Sequence, residues 1–182
     1  MNTHSCSVAA VGDSTTWGFP YGPQASWLAM LEAKFPECSW HNMGVNGDTF
    51  AGMLYRLSRQ PAVQEGAYSH CILSSGLNDC YSDVSLAAVE RDIEEIRQLL
   101  ERAGSRLILA IPINTQPIGW WFDDKLIKMQ KLIADFAAAK EIPVLDFRGL
   151  EADDFSDDIH PNHSGYAKMG AAAVQFWLSQ KS

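Results

Sequence analysis

The sequence predicts an α/β fold: a five-stranded parallel sheet with helices on both faces. Three observations predict it. Short apolar runs rich in strand formers alternate with longer segments of helical period. Five such runs are spread along the whole chain. No repeat and no Pro- or Ser-rich linker breaks the alternation, so the 182 residues read as one domain, 1–182, long enough for a sizeable core.

The elements follow in order. Cys6 to Val11 is the first strand-like run, and the irregular segment Thr15 to Pro23 follows it. Cys38 to Asn42 is the second; a glycine-bearing turn, Gly44 to Thr49, then leads into a helix containing Met53, Leu54 and Leu57. His70 to Ser74 is the third run. Val89, Ile93, Ile96, Leu99 and Leu100 then recur at helical spacing opposite Asp92, Glu95 and Arg102, with Gly104 as a stop. Arg106 to Ile111 is the fourth run, with the irregular segment Pro112 to Phe122 after it. Leu126, Met129, Leu132, Ile133 and Phe136 form a further apolar stripe, Pro143 to Asp146 the fifth run, and Tyr166, Met169, Ala173, Phe176 and Trp177 the last helix. These stripes are core, not cofactor boxes. Both irregular segments follow strands, and ligands of open parallel sheets sit where strands exit.

Composition narrows the function. A formal net charge of -8 excludes a nucleic-acid surface, which needs clustered Lys and Arg, and favours small neutral or apolar substrates. No stretch offers the roughly 18 apolar residues of a membrane span, and residues 1 to 11 lack a basic segment followed by a long apolar core. A cytoplasmic protein without stable membrane insertion is expected. The four cysteines, Cys6, Cys38, Cys71 and Cys80, have no metal-type spacing. They are expected as reduced thiols, with Cys6 and Cys71 packed inside.

Four short blocks could carry chemistry. In Gly12-Asp13-Ser14, the serine leaves the first strand at the sheet's C-terminal edge, a nucleophile's position, although all three residues also favour turns and caps. Gly44-Val45-Asn46-Gly47-Asp48-Thr49 lets a backbone N–H approach an oxyanion with no Cβ in the way, or is simply a capped turn; Gly44 and Gly47 both qualify. In Gly76-Leu77-Asn78-Asp79, the Asn78 amide is a neutral donor for developing negative charge, while Asp79 suits a bond to nearby backbone.

Asp157-Asp158-Ile159-His160-Pro161 is the fourth. A carboxylate three residues before a histidine can fold back onto Nδ1–H, fixing the tautomer so that Nε2 serves as base, and Pro161 keeps His160 out of the helix that follows. Asp158 is the neighbouring alternative. A metal reading of Asp153, Asp154, Asp157, Asp158, His160 and His163 lacks a His-x-x-x-His or Cys pair. Cys80, a rival nucleophile, has no neighbour that would lower its pKa.

Together, in this order and over nearly the whole chain, the blocks resemble the SGNH hydrolases, also called GDSL esterases and lipases. Ser14, Gly47, Asn78 and His160 match the four letters and Asp157 the family's acid; Gly47-Asp48-Thr49 is nearest to the thioesterase/lysophospholipase/arylesterase branch. The resemblance implies a three-layer α/β/α sandwich, flavodoxin-like in outline, that hydrolyses carboxylic esters or thioesters with no metal or organic cofactor. It also implies Ser14, His160 and Asp157 as catalytic residues, with Ser14, Gly47 and Asn78 forming the oxyanion hole. The Gly-x-Ser-x-Gly elbow of the α/β-hydrolases is absent around Ser14.

Substrate contacts are sought among the aromatics near the blocks: Trp17, Phe19 and Tyr21 after the nucleophile, Trp120, Trp121 and Phe122 after the fourth strand. Trp17, Trp120 and Trp121 are the substrate-binding candidates, for a short to medium acyl or acetyl ester. A carbohydrate deacetylase, a lysophospholipase and an acyl-CoA thioesterase are the other family activities. The rival outside enzymes is a flavodoxin-like module binding FMN or phosphate at the same edge. Oligomeric state is open.

Overall fold

Val8 to Val11 and Cys71 to Leu73 are buried almost completely, so their strands must lie in the middle of the sheet with helices on both faces. The computed structural model describes residues 6–180 and has this arrangement. Residues 1–5, part of the N-terminal stretch considered above for a targeting segment, lie outside the described residues. The strands are β1 (Ser7–Gly12), β2 (Ser39–Gly44), β3 (His70–Ser74), β4 (Arg106–Ile111) and β5 (Val144–Asp146), in the order β2-β1-β3-β4-β5, all parallel. Edge strands β2 and β5 keep exposed positions that β1 and β3 lack.

The helices are α1 (Ser14–Trp17), α2 (Trp27–Lys34), α3 (Phe50–Leu57), α4 (Pro61–Gln64), α5 (Leu77–Tyr81), α6 (Leu86–Arg102), α7 (Trp120–Ala139) and α8 (His163–Ser179). Helices α2 and α8 pack together, as do α3 with α6 and α6 with α7, which makes the two outer layers of an α/β/α sandwich. Among the described residues no helix is long and apolar enough to cross a membrane.

Strand order reverses at β1, which has β2 on one side and β3 on the other. The C-terminal crevice at such a switch point is where doubly wound folds bind ligands. Ser14 follows β1 and Asn78 follows β3, on the crevice's two walls.

Three expectations need correction. Cys6 and Cys38 form a disulfide and are not reduced thiols, and Cys6 is half-buried; Cys71 and Cys80 are free and buried. The register pairs Ser7 with Ser39, so the residues just before them enter neighbouring strands side by side, a proximity that their separation of 32 does not reveal. The segment Pro112 to Phe122 is irregular only to Gly119, because Trp120, Trp121 and Phe122 form the first turn of α7. Likewise Thr15 to Pro23 begins inside α1, a single turn closed by Gly18 in the left-handed region.

Candidate active site

Asp13 makes the turn that carries Ser14. As N-cap of α1 its Oδ1 accepts from Thr15 N (2.9 Å) and Thr15 Oγ1 (2.8 Å), while the Ser14 carbonyl accepts from Gly18 N and Phe19 N. The side chain of Ser14 therefore stands at the sheet edge, in a residue 8% exposed. Burial pushes the Asp13 carboxyl up to about 6, against the two Thr15 bonds that favour its anion.

His160 comes from the loop before α8. Asp157 Oδ1 accepts from the backbone N–H groups of Ile159 (2.8 Å) and His160 (2.6 Å), and its Oδ2 takes the His160 Nδ1 hydrogen bond at 2.8 Å. Burial works against the Asp157 anion, but the bonds from His160 and Ile159 outweigh it and hold the carboxyl below its ordinary range. An acceptor at Nδ1 puts the neutral ring's proton there and its lone pair on Nε2. Nε2 lies 3.2 Å from Ser14 Oγ, within proton-transfer reach. The Phe19 ring rests against the imidazole with centroids 4.6 Å apart, and Tyr166 Oη fixes that loop by donating to the Phe19 carbonyl at 2.7 Å.

The other candidate donors come from two further loops. Gly47 has φ +79°, which a side chain would strain, although a Cβ there would meet nothing within 4 Å; its glycine is required by conformation. Gly44 is required by space, since a Cβ would come within 2.2 Å of Trp17 N. Its N–H already donates to Asn42 Oδ1, whereas those of Ser14 and Gly47 meet no acceptor among the described residues. Asn78 Nδ2 donates to the Asp48 carbonyl at 2.9 Å. A carbonyl there can be met only by the NH2 end, so the amide's orientation is fixed and its second proton stays free for a ligand.

The predicted residues thus divide. Ser14, His160 and Asp157 form one relay, and Gly47 and Asn78 are joined through Asp48. Asp158 is outside it; its carbonyl accepts from Gln116 N, tying the histidine loop to the loop after β4. Among the described residues no three His, Cys, Asp or Glu side chains converge as metal ligands. Burial, with Asp79 adding to it, pushes the Cys80 thiol up to about 12, where it is protonated and a poor nucleophile. Trp17 is half-buried, whereas Trp121 and Trp120 are 44% and 83% exposed, and Trp121 lies 6.1 Å from the ring of Tyr81 on the Asn78 helix.

Over this architecture a model of the GDSL-like lipase/acylhydrolase family matches residues 10–168, from within β1 into α8. The chain belongs to that family. Solved structures with the same fold include a member of the lipolytic protein G-D-S-L family from Veillonella parvula DSM 2008, at 23% identity over 93% of this chain and 97% of that one, TM-score 0.81. TesA matches at 18% over 93% and 97%, TM-score 0.78. The M. smegmatis aryl esterase matches at 15% over 96% and 99%, TM-score 0.78. No curated protein matches the sequence.

Sequence reasoning about this GDSL-family chain missed residues that act at a distance. Asp79 does not bond within its own loop alone: both carboxylate oxygens lie 3.3 Å from the N–H of Phe50, at the start of α3. Arg56, which the sequence reading did not single out, reaches Asp48, and Tyr166, read as part of a core stripe, reaches Phe19. Their one sequence signal is an ionisable or hydroxyl group on a helix that starts beside a site loop.

Proposed function

We propose that this GDSL-family protein is a serine esterase that works through an acyl-enzyme, with Ser14 as nucleophile, His160 as general base and acid, and Asp157 as the group that orients and stabilises the imidazolium. The unbroken chain of hydrogen bonds from Asp157 Oδ2 through His160 to Ser14 Oγ carries the reading. His160 Nε2 takes the hydroxyl proton as Ser14 Oγ attacks the acyl carbon. The charge gathering on the carbonyl oxygen is met by the N–H groups of Ser14 and Gly47 and the free proton of Asn78 Nδ2. The protonated His160 then gives its proton to the leaving alcohol. A water, deprotonated by His160, attacks the acyl-serine and releases the acid by the reverse proton transfers.

The preferred substrate is a carboxylic ester with a short to medium acyl or acetyl group on a moderately apolar alcohol. Its support is the set of accessible aromatic faces in the segments after β1 and β4, Trp17, Trp120 and Trp121, of which Trp121 stands beside Tyr81 on the Asn78 helix, since such faces can cover an apolar leaving group. Thioesters, acetylated sugars and lysophospholipids belong in the same trial, because the TesA and aryl esterase folds resemble this one equally. No metal or organic cofactor enters the chemistry. The cytoplasmic expectation conflicts with the Cys6–Cys38 bond, a type of link rare in a reducing cytosol; thiol alkylation of protein taken from cells decides it.

The deciding experiment is a p-nitrophenyl ester series from acetate to palmitate with wild type, Ser14→Ala and His160→Ala. Each single change should abolish nearly all turnover, and the double variant should lose no more than either alone, because the two act as a unit. Fluorophosphonate should label wild type and not Ser14→Ala. Multiplicative losses, or label retained without Ser14, would reject the assignment.

A further inference from the structure

Gly47, the oxyanion donor that follows β2, hangs from a weakly supported part of the sheet. β2 is an edge strand, paired on one side only, and Val45, Asn46 and Gly47 beyond it are exposed. Hydrogen bonds from Val45 N to the Gly12 carbonyl and from Asp48 N to the Val45 carbonyl close the turn, but neither holds the side chain or the carbonyl on the far side of Gly47. That far side is Asp48. Its backbone carbonyl holds Asn78 Nδ2 at 2.9 Å, so the position of one residue sets the aim of two donors: the Gly47 N–H before it and the Asn78 amide bonded to it.

What holds Asp48 is Arg56, one face along α3. Its Nε and Nη2 meet Asp48 Oδ2 at 2.9 and 2.6 Å, and Nη2 also donates to the Met43 carbonyl at 3.2 Å. Met43 precedes the loop and Asp48 ends it, so the guanidinium closes the loop from outside like a clasp across its two ends. The carboxylate is nearly buried and the arginine about a quarter exposed, which limits screening of the pair. Gly52 leaves the room this needs, since a Cβ there would fall 2.0 Å from Asp48 Oδ1. The planar guanidinium grips the carboxylate with two nitrogens while one of them also reaches the carbonyl; an ammonium has one nitrogen and cannot reproduce that two-point grip.

We propose that Arg56 is a positioning residue for the oxyanion hole, acting through Asp48 on Gly47 and Asn78 and touching no substrate. The inference rests on the serine-esterase reading above. Donors that stabilise an oxyanion contribute only when they sit at the oxyanion's position, so a loosened clasp should lower kcat and leave ground-state binding alone.

The test compares wild type with Arg56→Ala and Arg56→Lys. Arg56→Ala should lose about 10- to 100-fold in kcat, the scale of an ångström-sized misplacement, with KM nearly unchanged. Guanidinium ion added at non-denaturing concentration should restore part of that loss. Arg56→Lys, which keeps the charge and most of the stem, should fall between and covers the case in which the alanine variant does not fold. A readout independent of turnover is the side-chain amide of Asn78 by 15N–1H NMR: its two proton shifts should move, and its exchange with solvent quicken, when Arg56 is removed.

Full kcat in both variants would overturn the proposal. So would a loss without guanidinium rescue in which the Asn78 signals stay as in wild type, since that is general destabilisation. If wild type hydrolyses no ester, the esterase reading fails by itself, and the Asn78 signals alone then support or overturn the clasp. An active wild type whose Asn78 signals ignore Arg56 sinks the clasp and leaves the esterase standing.

Discussion

Replacing Asp157 by asparagine changes one atom's chemistry and should silence the enzyme without unfolding it. Asp157 Oδ1 accepts two backbone N–H groups, from Ile159 and His160, and Oδ2 accepts the ring Nδ1–H. In Asp157→Asn the carbonyl oxygen must stay with the two backbone donors, because the opposite flip would set an NH2 group against both of them. The NH2 then takes the place of Oδ2 and presents a proton to Nδ1. His160 answers by moving its own proton to Nε2, so the atom 3.2 Å from Ser14 Oγ carries a hydrogen where the base needs a lone pair. The wrong tautomer costs about 10,000-fold in kcat, about 5 kcal/mol of barrier. The turn keeps its backbone bonds, so stability should change by only about 1 kcal/mol, or roughly 2–4 °C in Tm for a chain of this size. Steady-state kinetics on p-nitrophenyl acetate with a parallel melting curve measures both, and Asp158→Asn is the control that should stay near wild type. An Asp157→Asn enzyme within tenfold of wild type, still folded, would show that the carboxylate does not set the tautomer.

The other expectations are read with equally simple assays. Asn78→Ala should lose about 100- to 1000-fold in kcat with KM nearly kept, and guanidinium should not rescue it, since the donor itself is gone. Removing the Cys6–Cys38 bond with a Cys6→Ser/Cys38→Ser pair should cost about 4 kcal/mol by the loop-closure relation for a separation of 32, or about 10 °C in Tm, while kcat on the ester series stays put because the bond lies at the opposite end of β1 from Ser14. For pH, burial and the nearby Asp13 and Asp92 charges push the Asp79 carboxyl from 3.8 up to about 6, although Phe50 N–H favours its anion. Between those two values the folded state keeps a proton that the unfolded state has lost, so this group's contribution to stability falls as pH rises, by about 3 kcal/mol at most. In Asp79→Asn nothing titrates there, and its Tm relative to wild type should climb from pH 4 to pH 7; a constant difference would refute the buried titration.

What the sequence revealed and what it hid divide along physical lines. β3 and β4 were legible to the residue, His70–Ser74 and Arg106–Ile111, because a central parallel strand is one continuous apolar run bounded by polar residues. β1 and β2 each start one residue inside the expected run, at Ser7 and Ser39, and β2, at the sheet's edge, runs on to Gly44 through polar positions that an edge strand tolerates. α2 escaped notice because Trp27, Leu28 and Leu31 are buried while Met30, also apolar, is exposed, so no polar face marks the period. The four site blocks were visible because each is built from local rules: a cap, a left-handed glycine, an amide after a strand, a carboxylate three residues before an imidazole. The Cys6–Cys38 bond, the Tyr166 hydrogen bond to Phe19 and the Arg56 clasp depend on register and helix rotation, which sequence separation does not encode.

The same distinction explains how His160, after the far edge strand, reaches Ser14, after an inner one. Ser14 and Asn78 need no long connection, since β1 and β3 are neighbours and both loops emerge at the switch point. His160 comes after β5, two strands beyond β3, so the chain between Asp146 and α8 must run back along the C-terminal edge. It is fastened on the way: Gln116 N donates to the Asp158 carbonyl, Phe155 pairs with Pro161, and Asn162 caps α8 while its amide donates to the Asp153 carbonyl. Helix α8 then packs on α2, whose own start is set by the loop that follows Ser14, so that loop and the helix after His160 are anchored to one another, most directly where Tyr166 holds Phe19 against His160. Tyr166→Phe removes that hydroxyl and nothing else from the ring, which makes the anchoring measurable: kcat should fall severalfold, the loss should grow when Phe19→Ala is added, and Asn78-dependent stabilisation should be untouched. Independent, fully additive effects of the two changes would mean that the loop and the helix do not position the imidazole together.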